Sequence, residues 1–266
     1  MTSRRAFLRI GATAPLAFGP ESPIFVCLFL SGGNDGHNTL VPLRTAAQNY
    51  ETYRKARREL ALPERSLLPI VISNREIYGL HPRLRTLRDL FRRRELAIFA
   101  SVGAPASLSM FQHREQRERW RRILPSGTIE MPLTQIPQAI AAGNSQNAFV
   151  STIEGFDTHG AQLAIHDGKL AVLDRAIAQF YEEMARLQIR RRVTLFTVSE
   201  FGRTLASNST EGTNHGWANH HFVFGDPIRG GEMYGKFPNL ADPRSGMIPA
   251  ISIDHYRAAV FGKPLA

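Results

Sequence analysis

The sequence predicts an α/β fold, with a mostly parallel central sheet flanked by helices. Short, continuous apolar runs recur along the chain and end in glycine-bearing loops, as strands buried on both faces do. Long segments with helical periodicity lie between these runs, and strands alternating with helices favour parallel pairing. No internal repeat or heptad pattern competes with this reading.

The first strand is Ile24 to Leu30, running into Ser31-Gly32-Gly33. A charged helix is expected from about Thr45 to Leu60, closed by Pro63. Leu67 to Ile72 reads as a short strand. Pro82 suits the first turn of a helix that carries Leu84, Leu87, Leu90 and Phe91 on one face. Leu96 to Val102 is a second buried strand, and Phe111 to Ile123 a charged helix. Pro125 to Asn144 reads as a connection, because proline, glycine and small residues break any period. Ala148 to Ile153 is a third strand. From Gln162 to Leu187, Leu163, Leu170, Leu173, Ile177, Phe180, Met184 and Leu187 share one face of a long amphipathic helix. Val193 to Val198 is a fourth strand, Phe222 to Phe224 a short fifth, and Ile253 to Phe261 a closing helix.

Composition bounds the function. At 266 residues and 43% hydrophobic content, the chain can bury one large core. A net charge of +10 attracts anions, whether nucleic acid, anionic lipid or acidic substrate. The arginine runs 92–94 and 190–192 sit at expected helix ends, where they complement the dipole. No stacking aromatics interleave with them, so nucleic acid is not the expected partner. Cys27 is the sole cysteine and cannot form an intramolecular disulfide. No apolar stretch reaches membrane-spanning length. Arg4-Arg5 followed by Phe7-Leu8 reads as a twin-arginine export signal over residues 1–22, which leaves 23–266 as a single domain and implies a periplasmic or exported protein.

Four segments concentrate metal-ligand residues beside glycine: Asn34-Asp35-Gly36-His37, Phe156-Asp157-Thr158-His159-Gly160, Ser199-Glu200-Phe201-Gly202-Arg203 and Asn214-His215-Gly216. In a parallel sheet, ligands bind beyond the carboxyl ends of the strands. Asp35, Asp157 and Glu200 each follow an expected strand, so they should meet at one rim. A divalent cation takes carboxylate and imidazole ligands from several segments at once. Asp157 and His159 stand two apart and share a face if the backbone is extended. Arg203 suits bidentate contact with an anionic group. Each residue also has a simpler role open to it. Asp35 makes turn chemistry before Gly36, Asp157 stabilises the start of the long helix, and Glu200 pairs with Arg203.

The motifs resemble domain-of-unknown-function family 1501, a bacterial group exported by the twin-arginine route and related to sulfatases. The resemblance runs through Arg4-Arg5, the 33–38 loop, Leu80-His81-Pro82, Phe111-Gln112-His113 and the 156–160 and 199–204 loops. It continues through Asn214-His215-Gly216-Trp217, Gly230-Gly231, Tyr234-Gly235 and Ile253-Asp254-His255-Tyr256. It implies a single, shortened domain like that of the sulfatases and alkaline phosphatases. It also implies a divalent metal ion held by Asp35, Asp157, His159, Glu200 and His215, with His113 and Arg203 contacting the substrate. The expected activity is hydrolysis of sulfate or phosphate esters, with an anionic small molecule or glycan ester as substrate and the twin-arginine machinery as export partner. The family shows Ser-His where this chain has Gln112-His113, which leaves Ser107 and Ser109 as nearby hydroxyls. That departure motivates the alternative of a catalytically silent member that binds an anionic ligand or a partner protein.

Overall fold

The computed structural model describes residues 23–104, 113–225, 228–242 and 248–262. The expected export signal, together with Ser107, Ser109 and Gln112, lies outside the described residues.

The first half of the chain runs β1 (Ile24–Leu30), α1 (Gly36–Thr39), β2 (Leu40–Arg44), α2 (Tyr50–Arg57), β3 (Leu68–Val71), β4 (Ile77–Leu80), α3 (Arg85–Arg92), β5 (Leu96–Gly103) and α4 (His113–Ile123). It continues through β6 (Ile129–Glu130), α5 (Ile136–Ala141), β7 (Ala148–Ile153), α6 (Gln162–Arg186) and β8 (Val193–Ser199). The remainder is β9 (Gly202–Arg203), β10 (His215–Gly216), β11 (Ala218–Phe224), β12 (Glu232–Tyr234), β13 (Ile251–Ser252) and α7 (Ile253–Phe261).

The main sheet has the order β12-β5-β11-β8-β1-β7-β6, with β13 also paired to β5. β11 runs antiparallel to both neighbours, and every other pairing is parallel. The predicted α/β architecture with a mainly parallel sheet is therefore the one observed. β1 lies in its interior between β8 and β7 and is buried on both faces. Ile24, Val26, Leu28 and Leu30 enter a core shared with α3 and α6, while Phe25, Cys27 and Phe29 enter one shared with Trp120 of α4 and Tyr256 of α7. The alternation follows from the two-residue period of a strand, and it explains why the sequence run is apolar without interruption. Among the described residues no helix is long and apolar enough to cross a membrane.

Four expectations change. The 125–144 stretch is not an irregular connection: it holds β6 and α5, with Pro137 in the first turn of α5 and Ile136 and Ile140 buried one turn apart. The fifth strand begins at Ala218, four residues early. Asn219, His220 and His221 obscure it in the sequence, yet all three are buried. A separate antiparallel sheet, β2-β4-β3, includes two strands without a sequence signal. The helix expected over 45–60 is confined to α2 by a capping box between Asn49 and Thr52.

Candidate metal centre

The carboxyl ends of β8, β1 and β7 lie side by side, with Leu30 in register with both Ile153 and Ser199. The loops after these strands therefore start at one level. Cross-bonds tie them together: Ser31 N donates to Ile153 O, Phe156 N to Ser31 O, and Asn34 N to Ser199 Oγ. Gly32 has a φ of +113°, and a Cβ there would run into the backbone nitrogen of Asp157. Glycine is thus what lets the first loop reach the Asp157 loop.

Asp157, His159 and His215 converge at this rim. His159 Nε2 lies 3.1 Å from Asp157 Oδ1, His215 Nε2 lies 3.2 Å from the same oxygen, and the two Nε2 atoms are 3.1 Å apart. Hydrogen bonds cannot satisfy this triangle. Each Nε2 carries at most one proton and the carboxylate carries none, so at most two of the three edges can hold a hydrogen bond. One cation facing all three atoms satisfies every edge, and donors around a tetrahedral zinc ion with bonds of about 2.0–2.1 Å stand roughly 3.3–3.4 Å apart. The residues present fit a divalent ion.

His113, at the start of α4, joins them. Its Nε2 is 3.6 Å from Asp157 Oδ2, and His113, Asp157 and His215 offer ligand atoms all within 4.8 Å of one another. Its Nδ1 is 3.7 Å from Glu200 Oε1, so the ring lies beside that carboxylate without a hydrogen bond to it. The Glu200 carboxylate is fully buried. It accepts from Gly32 N on one oxygen and from Arg117 Nη2 at 3.0 Å on the other. Arg117, one helical turn after His113, also donates to Ser31 Oγ at 2.6 Å. Its role was not read from the sequence, although the four-residue spacing from His113 on a helix is the signal that would have found it.

Electrostatics keep the group ready for a cation. Burial and the nearby Arg203 guanidinium push His215 down to about 4, against the pull of Asp157, so its imidazole is neutral. Burial raises the Asp157 pKa, but Arg203, His215 and His159 outweigh it and hold the carboxyl below its ordinary range. The short β9–β10 ladder pairs Arg203 with His215. The His215 ring stacks on Phe201 at 3.9 Å.

Two sequence expectations need correction. Arg203 does not face a substrate. Its guanidinium is fully buried and donates to Gly33 O, Thr213 O, Gly32 O, Phe156 O and Asp157 Oδ1. It knits the loops together and aims Asp157. Asp35 does not join the triangle either. Its carboxylate has no solvent exposure and accepts from Arg57 Nη2, Gln162 Nε2 and His37 N. Burial would raise its pKa, but Arg57 leads the charges that hold it below the usual carboxylate range. Gln162 then links Asp35 to the metal-centre loops, accepting from Thr158 Oγ1 and Thr213 Oγ1.

A family model described as "Protein of unknown function (DUF1501)" matches residues 139–246. That stretch is similar to the family over 108 of the 266 residues. It includes Asp157, His159, Glu200, Arg203 and His215, whereas His113 and Arg117 come from outside it. The comparison with curated proteins gives no match. Among solved structures, the chain is similar to the lipoteichoic acid synthase LtaP from Listeria monocytogenes, at 8% identity, 95% of this chain, 81% of that one and a TM-score of 0.43. It is similar to BT33494S-sulf, described with the metabolism of multiple glycosaminoglycans by Bacteroides thetaiotaomicron, at 9% identity, 84% and 71% coverage and a TM-score of 0.42. It is also similar to a protein in the alkaline phosphatase superfamily from Vibrio parahaemolyticus, at 10% identity, 95% and 72% coverage and a TM-score of 0.30.

Proposed function

We propose that this rim is a divalent-cation centre of an exported protein and that it hydrolyses a phosphate or sulfate ester. The observation that supports this reading is the triangle of Asp157 Oδ1, His159 Nε2 and His215 Nε2, with sides of 3.1–3.2 Å. These three residues are the ligands. A bound divalent ion there supplies Lewis-acid polarisation of an ester oxygen.

The chain's own groups supply the rest. Arg203 neutralises and aims Asp157 from below. Arg117, about one third exposed, offers a cation to the incoming anion and replaces the buried Arg203 in that role. His113 is also about two fifths exposed at the mouth. It lies beside Glu200 and exchanges a proton with the leaving oxygen. Arg4-Arg5 supports export by the twin-arginine route.

The test is turnover of 4-nitrophenyl phosphate and 4-nitrophenyl sulfate by the full chain loaded with zinc, manganese, magnesium or calcium. Turnover that requires metal and is abolished by Asp157→Ala is the expected result. Metal binding with neither ester turned over would replace the hydrolase with an anion-binding protein.

A further inference from the structure

The main sheet has a second edge, opposite the rim. β8 and β1 run parallel, and β5 runs with them because β5 and β8 both pair antiparallel with β11. The starts of β1, β5 and β8 therefore lie together at the end away from Asp157. α3 and α6 return the chain to that end, one before β5 and the other before β8. Each return closes on three consecutive arginines, Arg92-Arg93-Arg94 and Arg190-Arg191-Arg192.

This is more positive charge than two helix ends take up. Each helix end presents about half a negative charge, and Glu95 and Glu232 are the carboxylates that meet the group. Glu95 accepts from Arg93 Nε at 3.2 Å and from Arg190 Nη2 at 3.0 Å, so it ties the two turns together. Glu232 lies 3.6 Å from Arg94 Nη2. Arg92 and Arg191 are exposed and have no carboxylate partner among the described residues.

Two further features say what this charge meets. Val71 is 58% exposed at the same end. Two residues on, Ser73 N donates to Glu232 Oε2 at 3.4 Å, which sets the β3–β4 turn against the partner of Arg94. An aliphatic side chain beside arginines gains nothing from the phosphates of nucleic acid, whereas it enters the boundary between the headgroups and acyl chains of a bilayer. Neither arginine turn carries an aromatic ring on which bases would stack. β1 begins at this edge as well, with Ile24 in register with Val193. The export segment read at Arg4-Arg5 therefore joins the fold here, which brings this edge to the membrane that the segment addresses. That point rests on the export reading; the charge and Val71 do not.

We propose that this arginine edge seats the protein on an anionic phospholipid surface through the 92–94 and 190–192 turns, with Val71 entering the headgroup layer. The cation centre then faces away from the bilayer. Each arginine near such a surface strengthens partition about fivefold, and salt screens the effect.

The experiment uses the full chain with vesicles of phosphatidylcholine alone or mixed with phosphatidylglycerol, and a short DNA duplex as a second polyanion. Co-sedimentation measures the wild type, Arg92→Glu/Arg191→Glu and Lys55→Glu/Arg65→Glu. The last pair makes the same charge change on α2 and just beyond it, on the side where Arg57 reaches Asp35. Circular dichroism and Tm show that each is folded. A polarity-sensitive dye attached through Val71→Cys or Arg65→Cys reports orientation, since the one native cysteine, Cys27, is buried. The wild type should bind mixed vesicles about tenfold or more tightly than neutral ones and lose that binding as salt rises. Arg92→Glu/Arg191→Glu should weaken it about tenfold or more, and Lys55→Glu/Arg65→Glu about threefold or less. The dye should respond to mixed vesicles at Val71→Cys and stay unchanged at Arg65→Cys. Equal binding to neutral vesicles, or equal losses from the two charge variants, would overturn the proposal. So would a folded Arg92→Glu/Arg191→Glu that binds mixed vesicles as the wild type does, or that loses DNA while keeping lipid. The predicted vesicle binding by a protein that cells fail to export would sustain the proposal and sink the export reading.

Discussion

Asp35→Asn separates the two roles open to a carboxylate at the rim. In the structure Asp35 answers the buried guanidinium of Arg57, and both side chains have no solvent exposure. Arg57 also donates to Asn38 Oδ1 and to the carbonyls of Thr204 and Leu205. Asparagine keeps the shape but leaves that positive charge without its counter-ion. Breaking a buried pair by removing one partner costs about 3–5 kcal/mol. Because Arg57 keeps three carbonyl-type acceptors, the lower end applies, about 3 kcal/mol. For a domain of this size that corresponds to a fall in Tm of roughly 6–12 °C. Urea unfolding and calorimetry measure the loss, and equilibrium dialysis measures zinc affinity in the same samples. Zinc affinity within threefold of the wild type is expected, since the ligand triangle does not include Asp35. A variant that kept its Tm but lost zinc would refute this reasoning and return Asp35 to the metal.

Acid should unfold the protein steeply. Burial pushes His166, His220 and His221 down to about 4, 3 and 3, whereas the unfolded chain titrates them near 6.5. Their contribution is whole above pH 6.5 and is lost as the pH falls toward their folded values. At pH 5.5 each should cost about 1.4 kcal/mol and the three roughly 4 kcal/mol; equal urea midpoints at pH 7.5 and 5.5 would contradict this. His221 has two buried ring nitrogens with no partner among the described residues, and it packs against Trp120 and Tyr256. His221→Phe should therefore raise stability at pH 7 by about 1–3 kcal/mol and remove about a third of the acid loss; a drop in stability at pH 7 would show that those nitrogens are bonded. Gly32→Ala, at a φ of +113° and against the Asp157 backbone, should weaken zinc binding roughly tenfold by moving the ligand, as supporting-shell changes at metal sites do; unchanged affinity in dialysis would mean that the loop yields elsewhere.

Much of this organisation could be read from the chain. The apolar runs at Ile24, Leu96, Ala148 and Val193 became strands because burial on both faces leaves an unbroken hydrophobic signature. The rule that ligands gather beyond strand ends brought Asp157, Glu200 and the His215 loop to one place. What the sequence hid has physical causes. β11 carries Asn219, His220 and His221, polar residues buried with specific partners: Asn219 Nδ2 donates to Asn34 O and Phe201 O, and Ser101 N donates to His220 Nδ1. A hydrophobic pattern cannot report burial secured by hydrogen bonds. Asp35 and Arg203 looked like ligand and anion contact because residue type does not reveal which way a side chain turns. The partners that settle the matter, Arg57 for Asp35 and the four loop carbonyls for Arg203, are distant in sequence or lie on the backbone. The nearness of α4 to the rim was equally hidden, since it depends on how that helix packs across the sheet.

The central claim is that Asp157, His159 and His215 share one cation. Elemental analysis of the full chain after zinc loading and exhaustive dialysis tests it most directly, alongside Asp157→Ala and His215→Ala variants shown by circular dichroism to be folded. The account predicts about one zinc per wild-type chain, with tetrahedral binding, and none retained by either variant. A wild-type chain that emerged without metal, or a folded Asp157→Ala that kept its zinc, would contradict it.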